Sequence, residues 1–527
     1  MNNLFAGFDC STQSKKLVII DLDKAEVLYS DQINYDVDLP QYNTNNGVEQ
    51  SSIEGLSESD PQMWIDSLEM LFFKLQKSSF PICDIKSISV SGQQHGLVCL
   101  DKFGELSRPK SKLWNDFSTQ EECDLLTEAV GGKSKMIAEV GNTQRTGYTA
   151  SKIYHFARHE PEAFDKTTTL FLVHNFINWY LTGGKNNGVR VMESGDTSGM
   201  ALWHPQKKCW SEKIVQKISP DLMAKLPPVL PSDKSIGNIS QQLVERFGFD
   251  PQCRIDAGCG DNMFGAVGTG NVTPGIVTIS LGTSGTACSF MEKAFIDPEG
   301  EIASFCDSTG NYLPLLCVSN LANGYNTLLN QFDLSHLEFN EIVKKVIPGC
   351  AGRLIIPWFS GERTPDLPHA APFYFGFQLG DFNKSYLCRA VLEGHILNLY
   401  NGFQRMPITT KEIRLTGGLS KSEVWRQTIA DIFETEVVPV EGEGAALGAA
   451  LHAAWVYQKE NHKNIPLNQI VHPFISLLES KRSYPIAENA ACYRVLKKLF
   501  NCLSKKIRGI GSKDNPFELR KKLVQLY

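Results

Sequence analysis

Alternating apolar and polar stretches at the start of the chain predict a β-hairpin. An apolar run from Leu4 to Phe8 ends at Asp9, a polar turn spans Cys10 to Ser14, and a second apolar run spans Leu17 to Ile20. Short apolar runs joined by a few small polar residues are typical of paired strands. Residues 38–61 are rich in Asn, Ser, Glu, Gly and Pro, so we expect a surface loop there.

A helix is predicted to begin at Asp60-Pro61, because a capping side chain followed by proline favours the first helical turn. Apolar residues then recur at the spacing of one helix face: Trp64, Leu68, Leu71, Phe72 and Leu75. The segments Ile85–Val90 and Leu97–Leu100 have the composition of strands. Strands that alternate with helices in this way indicate an α/β protein.

The second half of the chain begins with a pattern similar to the first. The glycine-rich stretch AGCGDNMFGAVGTG, which starts at Ala257, precedes a strand at Ile276–Ser280 and a turn at Leu281–Thr286. This turn and the turn at Asp9 both follow an apolar strand and both consist of small polar residues. We therefore expect two related halves, with a lobe boundary near residue 258.

Later segments continue the alternation of helices and strands. An amphipathic pattern spans Tyr386–Phe403, a strand is predicted at Ile413–Leu415, and the turn Thr416–Ser420 leads to a helix from about Ser422. That helix is predicted to bury one face, formed by Trp425, Ile429, Ile432 and Phe433. Residues 494–522 contain ten basic and two acidic residues, which predicts an appended solvated helix, with partner binding as the alternative.

Composition narrows the class of protein. The 527 residues carry a net charge of −6 and are 42% hydrophobic and 21% charged, as expected of a globular protein. The acidic balance gives no reason to expect nucleic acid or an anionic membrane as a partner, and no apolar run approaches the roughly 18 residues of a spanning helix. The N-terminus lacks the pattern of a secretory signal, and the 14 cysteines are scattered without a CxxC pair. We expect a cytoplasmic protein with mostly buried thiols.

Glycine-rich turns and isolated acids are the candidates for chemistry. Gly282–Gly285 after a strand would let backbone N–H groups converge on a phosphate, and Gly417-Gly418 would let a nucleotide approach a helix start. Asp9 and Asp261 both lie among small residues, where a carboxylate could face Mg²⁺ or accept the proton of an attacking alcohol. Taken singly, each feature is also explained by a tight turn or a turn cap, and His95 by a buried core histidine. No Walker A motif is present, which excludes a P-loop kinase.

Six motifs occur in the order seen in the FGGY carbohydrate kinases of the actin, hexokinase and Hsp70 superfamily. They are FAGFDCSTQS, SGQQHG, LWND, GCGDNMFGAVGTG, SLGTSG and LTGGLSKSEVWRQTIADIF, and the match runs from about residue 4 to 455. The chain resembles this family, and its QQHG and WND segments are most similar to the xylulokinases within it. The resemblance implies two actin-like, ribonuclease H-like lobes with an active-site cleft between them.

The resemblance also implies roles for individual residues. Asp261 matches the catalytic base, and Asp9 matches the acid that helps to hold Mg²⁺–ATP, which implies that Asp9 binds the metal through water. The residues that match the sugar site are Gln94, His95, Arg145, Asp261 and Asn262. Those that match the nucleotide and phosphate site are Asp9, Ser11, Thr12, Gln13, Gly282, Thr283, Ser284, Trp358, Gly417, Gly418 and Ser422.

The resemblance implies an enzyme that uses Mg²⁺ and ATP to convert D-xylulose to D-xylulose 5-phosphate. The expected domains are an N-terminal lobe at 1–258, a C-terminal lobe at 259–475 and a C-terminal extension with a basic tail at 476–527. The partners would be the sugar and ATP, with no nucleic acid and no membrane, and a homodimer is allowed. Three alternatives remain open: a kinase for another ketose or polyol, a catalytically silent sugar sensor, and an actin-like chaperone ATPase.

Overall fold

The chain forms two compact units in a computed structural model that describes residues 3–442 and 444–526. Unit 1 contains the chain up to Thr273, Phe290–Leu313 and Gly442–Ile475, and unit 2 contains Pro274–Ser289, Pro314–Glu441 and the chain from Ser476 onward. Each unit has its own sheet, and helices follow most of the strands, which confirms the α/β prediction.

The helices follow one another along the chain with these bounds: α1 (Tyr35–Asp38), α2 (Pro61–Lys77), α3 (Gln120–Val130), α4 (Lys133–Val140), α5 (Thr149–His159), α6 (Pro161–Lys166), α7 (Val173–Leu181), α8 (Ser194–Thr197), α9 (Glu212–Ile218), α10 (Leu222–Lys225), α11 (Gln241–Phe247), α12 (Asp261–Gly268), α13 (Asn323–Phe332), α14 (His336–Lys344), α15 (Lys384–Phe403), α16 (Glu423–Phe433), α17 (Gly444–Glu460), α18 (Leu467–Val471), α19 (Ala487–Ile507) and α20 (Pro516–Gln525). Asp60 caps α2 by accepting a hydrogen bond from the Gln62 N–H, with Pro61 in the first turn, as the sequence predicts.

The sheet of unit 1 brings its candidate acids to neighbouring strand ends. Its strands are β1 (Leu4–Cys10), β2 (Ser14–Asp21), β3 (Glu26–Asn34), β4 (Ile85–Gly92), β5 (Ser235–Asn238), β6 (Arg254–Asp256) and β7 (Cys259–Gly260). The order is β5-β6-β4-β1-β2-β3, with β7 also paired to β4. The predicted β1–β2 hairpin is antiparallel, whereas β1 and β7 both run parallel to β4. The carboxyl ends of these three parallel strands therefore lie at one edge.

The sheet of unit 2 repeats this plan. Its strands are β8 (Ile276–Leu281), β9 (Gly285–Ser289), β10 (Leu315–Val318), β11 (Glu412–Thr416), β12 (Glu436–Glu441) and β13 (Ser476–Leu477), in the order β10-β9-β8-β11-β12-β13. As in unit 1, an antiparallel hairpin comes first and a later strand, β11, pairs parallel to its first strand. The similarity of the two small polar turns, one after β1 and one after β8, thus corresponds to a shared strand order.

Short two-stranded ribbons complete the described structure. They pair Thr44–Asn45 with Val48–Glu49, Glu58–Ser59 with Ser111–Lys112, Val98–Asp101 with Thr167–Phe171, Met192–Glu193 with Val229–Leu230, Trp203–His204 with Cys209–Trp210, and Leu354–Ile356 with Phe373–Phe375. Among residues 3–442 and 444–526, no helix combines the length and the apolar character needed to cross a membrane.

The two units differ from the division at 258/259 and 475/476 that we predicted from the sequence. Helix α17 lies in unit 1, where it packs against β1 and α12. The close approach depends on glycine: a Cβ added at Gly7 would fall on backbone atoms of Ala446 and Ala450. Because this packing joins residues more than 400 positions apart, a boundary drawn along the sequence does not follow it.

The C-terminal segment is also more than an extension with a solvated tail. Helix α19 packs against α15 and α16 in unit 2 and buries Tyr493, Leu496, Leu499, Phe500 and Leu503. The Tyr493 hydroxyl donates to the Glu393 carboxylate (2.8 Å) and lies 2.8 Å from the Arg389 guanidinium, which donates to it. The basic residues of α19 are interspersed in sequence with those of its apolar face. A count of charges along the chain therefore did not reveal that one face of the helix is buried.

Helix α15 departs from the predicted amphipathic pattern. It is buried around most of its circumference, and its buried residues include Arg389, Glu393 and His395. These polar side chains are tolerated in the interior because they are hydrogen-bonded, for example by the ion pair of Arg389 Nε with Glu393 (2.6 Å). The predicted face of α16, by contrast, is confirmed, because Trp425, Ile429, Ile432 and Phe433 are buried.

Candidate active site

Asp9 lies at the edge of the unit 1 sheet where three strands end. In the sheet register, Ser91 of β4 pairs with Asp9 of β1 on one side and with Cys259 of β7 on the other. The Ser91 hydroxyl donates a 2.7 Å hydrogen bond to Asp9 Oδ1. Burial raises the pKa of Asp9, and the hydrogen bond from Ser91 and the charge of Lys16 oppose that rise only in part.

Asp261 lies two residues beyond Cys259, at the first position of α12. Its Oδ1 accepts hydrogen bonds from the backbone N–H of Asn262 (2.8 Å) and from the Asn262 side-chain amide (3.1 Å). Burial, followed by the negative charges of Asp9 and Asp196, raises the pKa of Asp261 to about 8. A carboxylate whose pKa lies near neutral pH can take up and release a proton under working conditions, as a general base must.

A chain of hydrogen bonds connects Asp261 to the other residues predicted to bind sugar. The Asn262 amide donates to Gln94 Oε1 (2.7 Å), and the Gln94 amide donates to Asp196 Oδ1 (3.3 Å). The same Asp196 oxygen lies 3.4 Å from His95 Nδ1. The structure therefore brings Asp261, Asn262, Gln94 and His95 together, with Asp196 at the centre.

Asp196 was not among the residues selected from the sequence. It lies in the four-residue helix α8, which Glu193 caps by accepting the Asp196 N–H (2.7 Å). Both acids are buried, and His174 lies near each of them, 3.4 Å from Glu193 and 3.9 Å from Asp196. The only local signal is the run of small and acidic residues ESGDTSG at 193–199, which resembles the other turns but follows no strong strand pattern.

His95 has an unusual backbone conformation and a tightly defined side chain. Its φ angle is +66°, in the left-handed region that side-chain-bearing residues rarely adopt. The imidazole packs edge-on against Tyr148 (ring centroids 4.9 Å apart) and at a tilt against Phe305 (5.8 Å). A Cβ at position 199 would overlap the imidazole, so Gly199 is required for its position. One edge of the imidazole thus faces Asp196 and its sides face aromatic rings.

Arg145 is anchored to a neighbouring turn of unit 1. Its guanidinium donates to the Gly300 carbonyl (3.0 Å) and to Thr143 Oγ1 (3.3 Å). A contact of Arg145 with sugar remains a prediction.

The first polar turn has a defined conformation. The Ser11 N–H and hydroxyl both donate to the Ser14 carbonyl (3.0 and 2.9 Å), and the Gln13 carbonyl accepts the Tyr35 N–H (3.0 Å). Thr12 accepts from the Trp114 indole (2.9 Å) and donates to Gln93 (3.2 Å). The turn is therefore fixed by its own bonds and by the LWND segment, with Gln13 exposed. This geometry is compatible with a phosphate turn.

Unit 2 contains a cavity of about 470 Å³. Four residues selected from the sequence line it, namely Gly282, Thr283, Gly418 and Ser422, and the remaining lining residues are Leu281, Ala322, Tyr325, Asn326, His336, Asn340, Leu419 and Lys421. Ser284 and Gly417 are chain neighbours of these residues, and Gly417 (φ +85°) packs against Leu281. Sequence reasoning missed the contributions of α13 and α14, whose Tyr325 and Asn340 belong to ordinary helical patterns.

Trp358 does not line this cavity, and its place beside the nucleotide stays a prediction. Its side chain is 1% exposed, and the indole N–H donates to Asn398 Oδ1 of α15 (3.0 Å). It follows the short buried strand Leu354–Ile356, so its bulk fills the interior of unit 2.

Metal ligands are sparse in the described residues. No group of three or more His, Cys, Asp or Glu side chains that could hold a metal occurs among residues 3–442 and 444–526. Mg²⁺ does not require such a group, because it commonly binds one or two carboxylates and completes its shell with water and phosphate oxygens. Asp9, at the end of β1 with one carboxylate oxygen bonded to Ser91, fits that kind of site.

Comparison with known proteins assigns the family. The model of the FGGY carbohydrate kinase N-terminal domain matches residues 4–268, and that of the C-terminal domain matches residues 277–457. The xylulose kinase of Haemophilus influenzae is 35% identical over 495 residues, which cover 92% of this chain and 95% of that protein.

Solved structures have the same fold. A xylulose kinase from Rhodospirillum rubrum superposes with a TM-score of 0.84 at 21% identity, covering 96% of this chain and 99% of that one. A gluconate kinase from Lactobacillus acidophilus gives 0.83 at 23% identity, covering 96% and 98%. These matches confirm the predicted actin-like, two-domain fold. By sequence and by fold, the chain belongs to the FGGY family of carbohydrate kinases.

Proposed function

We propose that the protein transfers the γ-phosphoryl group of ATP to the terminal hydroxyl of D-xylulose, giving D-xylulose 5-phosphate. The observation that carries the proposal is a chain of side-chain contacts that runs through Asp261, Asn262, Gln94, Asp196 and His95. It connects a carboxylate with a raised pKa to side chains that can form hydrogen bonds with sugar hydroxyl groups. The identity of 35% to a protein named xylulose kinase supports the choice of sugar.

Asp261 is proposed to act as the general base. As the sugar oxygen attacks the γ-phosphorus, a new O–P bond forms, the bond from the γ-phosphorus to the bridging oxygen breaks, and ADP departs. The sugar O–H proton passes to Asp261, whose raised pKa suits it to accept a proton. The two Asn262 N–H donors hold the carboxylate in place while it does so.

Sugar recognition is proposed to involve the side chains connected through Asp196. Gln94 and Asn262 present amide groups that can donate to and accept from hydroxyl groups, and His95 contributes an imidazole of fixed orientation. Tyr148 and Phe305 would limit the space beside His95. A site that hydrogen-bonds particular hydroxyls rejects sugars that lack them, because its polar groups would remain unpaired.

The nucleotide is proposed to occupy the unit 2 cavity lined by Gly282, Thr283, Gly418 and Ser422. The glycine-containing turn after β8 and the 3₁₀ turn Gly418–Lys421 offer backbone N–H groups without large side chains. Asp9 is the carboxylate that would hold Mg²⁺, which supplies positive charge that neutralises the phosphates. Ser11, Thr12 and Gln13 are proposed to contribute the second set of phosphate contacts.

The test is ADP release with Mg–ATP across D-xylulose, other ketoses, polyols, gluconate and a control without sugar. We expect D-xylulose to give the highest kcat/KM, by about tenfold or more over the next sugar. Phosphorus and carbon NMR of the product should place the phosphate on the terminal oxygen. A higher kcat/KM for another sugar would overturn the choice of D-xylulose and leave the base assignment standing. Normal turnover by Asp261→Asn would overturn the base assignment.

A further inference from the structure

Lys152 is a buried lysine that connects two of the segments assigned to sugar binding. It lies in the first turn of α5 and has no exposed surface. Its Nζ donates to the carbonyl of His95 (2.7 Å) and to the carbonyl of Gly147 (2.7 Å). The first carbonyl belongs to the QQHG turn, and the second belongs to the loop that carries Arg145.

The hydrogen bond from Lys152 to the His95 carbonyl stabilises an unusual backbone conformation of His95. A residue with a side chain at φ +66° is held in a sparsely populated conformation and needs surrounding contacts to stay there. Two side chains of α5 hold the His95 carbonyl in place, because Thr149 Oγ1 (3.2 Å) donates to it as well as Lys152 Nζ. This backbone orientation is the one in which the imidazole faces Asp196.

Burying the charged ammonium group of Lys152 costs free energy, because the group loses its contact with water. Burial lowers the pKa of Lys152 to about 7, and the negative charges of Asp116 and Asp196 offset that effect only in part. Methionine would fill a similar space without this desolvation cost. The contribution that an apolar side chain could not make is therefore the pair of hydrogen bonds to two separate carbonyls.

We propose that Lys152 is a positioning residue for the sugar, which fixes the His95 turn and the Arg145–Gly147 loop relative to each other. The inference rests on the proposed sugar site in unit 1. Without the Nζ donors, His95 can relax from its strained conformation and the loop can shift independently of it. Sugar affinity should then fall, whereas nucleotide affinity, which we assign to unit 2, should not change.

Lys152→Met is the direct test, because it removes both donors at nearly constant length. We expect the sugar KM to rise by about tenfold to a hundredfold, the range produced by small misplacements of positioning groups. The KM for ATP should stay the same, and calorimetry without nucleotide should show the same loss of sugar affinity. An unchanged sugar KM, or equal changes in both KM values, would overturn the inference.

Lys15→Met is the matched control for the cost of altering a buried lysine. Lys15 is also fully buried in unit 1 and donates to a backbone carbonyl, that of Trp64, but it contacts neither sugar segment. Its replacement should reduce stability without weakening sugar binding in the calorimetric assay. A loss of sugar affinity equal to that of Lys152→Met would show that general destabilisation explains the effect, and would refute the positioning role.

A second variant covers the case in which Lys152→Met does not fold. Thr149→Val keeps the shape of threonine and removes only the longer bond to the His95 carbonyl. We expect a smaller increase in the sugar KM, and no change there would overturn the inference. If the wild-type protein prefers another sugar, the proposed substrate is wrong, and the same comparisons made with that sugar test the role of Lys152 separately.

Discussion

Replacing Asp9 with asparagine is expected to lower the pKa of Asp261. The pKa of Asp261 is raised to about 8 by burial and by the charges of Asp9 and Asp196. Asparagine has nearly the same shape as aspartate, and its carbonyl can still accept the hydrogen bond from Ser91. The substitution therefore removes a negative charge with little change in packing. With less repulsion, the ionised form of Asp261 is less unfavourable, so its pKa must fall.

The sheet register sets the size of this effect. Asp9 and Cys259 both pair with Ser91, so β1 and β7 lie two strand spacings apart, roughly 10 Å. We take this spacing as the separation of Asp9 from Asp261, which lies two residues beyond Cys259. At that distance and an effective dielectric constant of about 20, two unit charges interact by about 1.7 kcal/mol. That energy corresponds to about one pKa unit. The pKa of Asp261 should fall to about 7 in the Asp9→Asn protein.

Potentiometric difference titration can measure both values. Proton release is recorded for the wild type, Asp9→Asn, Asp261→Asn and the double variant, without sugar, nucleotide or metal. Subtracting each Asp261→Asn curve from its parent gives the titration of Asp261 with and without the charge at position 9. The four proteins form a double-mutant cycle, which separates the pairwise term from other effects of each substitution.

Two results would refute the reasoning. A wild-type midpoint below about 5 would mean that solvent or other groups compensate for the burial of Asp261. A midpoint near 8 that does not move in Asp9→Asn would mean that the two carboxylates do not interact. If both expectations hold, neutralising the charge at Asp9 favours the ionised form of Asp261, the form that the proposed mechanism needs to accept the sugar proton.

Three further predictions follow from the geometry. Asp261→Ala should lower kcat by about 10²- to 10⁴-fold while calorimetry still detects sugar binding, and near-normal turnover would contradict a base. Gly7→Ala should lower the free energy of unfolding in urea by about 1–3 kcal/mol, because the new methyl group meets the backbone of α17; Gly265→Ala in α12, which has open space, should cost nothing by comparison. Tyr493→Phe should lower the free energy of unfolding by about 1–3 kcal/mol, because the buried Glu393 carboxylate loses one hydrogen-bond donor. An unchanged melting temperature would argue against a stabilising role of the Tyr493–Glu393 hydrogen bond.

Local elements were the part of the fold that the sequence predicted well. The start of α2 is encoded by adjacent residues, Asp60 as cap and Pro61 in the first turn. The apolar faces of α2 and α16 are encoded by spacing, and all the residues assigned to these faces are buried. Such signals lie within one or two helical turns, so they do not depend on knowing the rest of the chain.

Long-range packing was not predicted, and the errors share a cause. Helix α17 belongs to unit 1 because Gly7 admits it against β1, and nothing near residue 444 identifies that partner. Helix α15 was predicted to be one-sided, yet its Arg389 and Glu393 are buried because Tyr493, about 100 residues later, satisfies them. The interior packing of Trp358 was missed for a similar reason, since its partner Asn398 lies on another element.

In the candidate site, too, residues marked by their neighbours in sequence were predicted, and residues defined by distant contacts were not. Asp9, Asp261 and the glycine-containing turns could be selected because each stands out against its own neighbours in sequence. Lys152 could not, since its partners are two backbone carbonyls and every residue has one. Asp196 was missed because its importance lies in the two side chains that converge on it from the QQHG turn.

The position of Asp196 has a consequence for how the sugar preference of this protein could change. One of its carboxylate oxygens accepts the Gln94 amide and faces His95, while its charge also raises the pKa of Asp261. If Asp196 takes part in sugar binding and Asp261 is the base, as proposed, a substitution at Asp196 changes both the hydroxyl groups that the site can bind and the pKa of the base. Changes at Tyr148 or Phe305, which contact the imidazole without carrying charge, avoid this coupling. Variants selected for a new sugar should accordingly accumulate changes in the aromatic wall before they change Asp196.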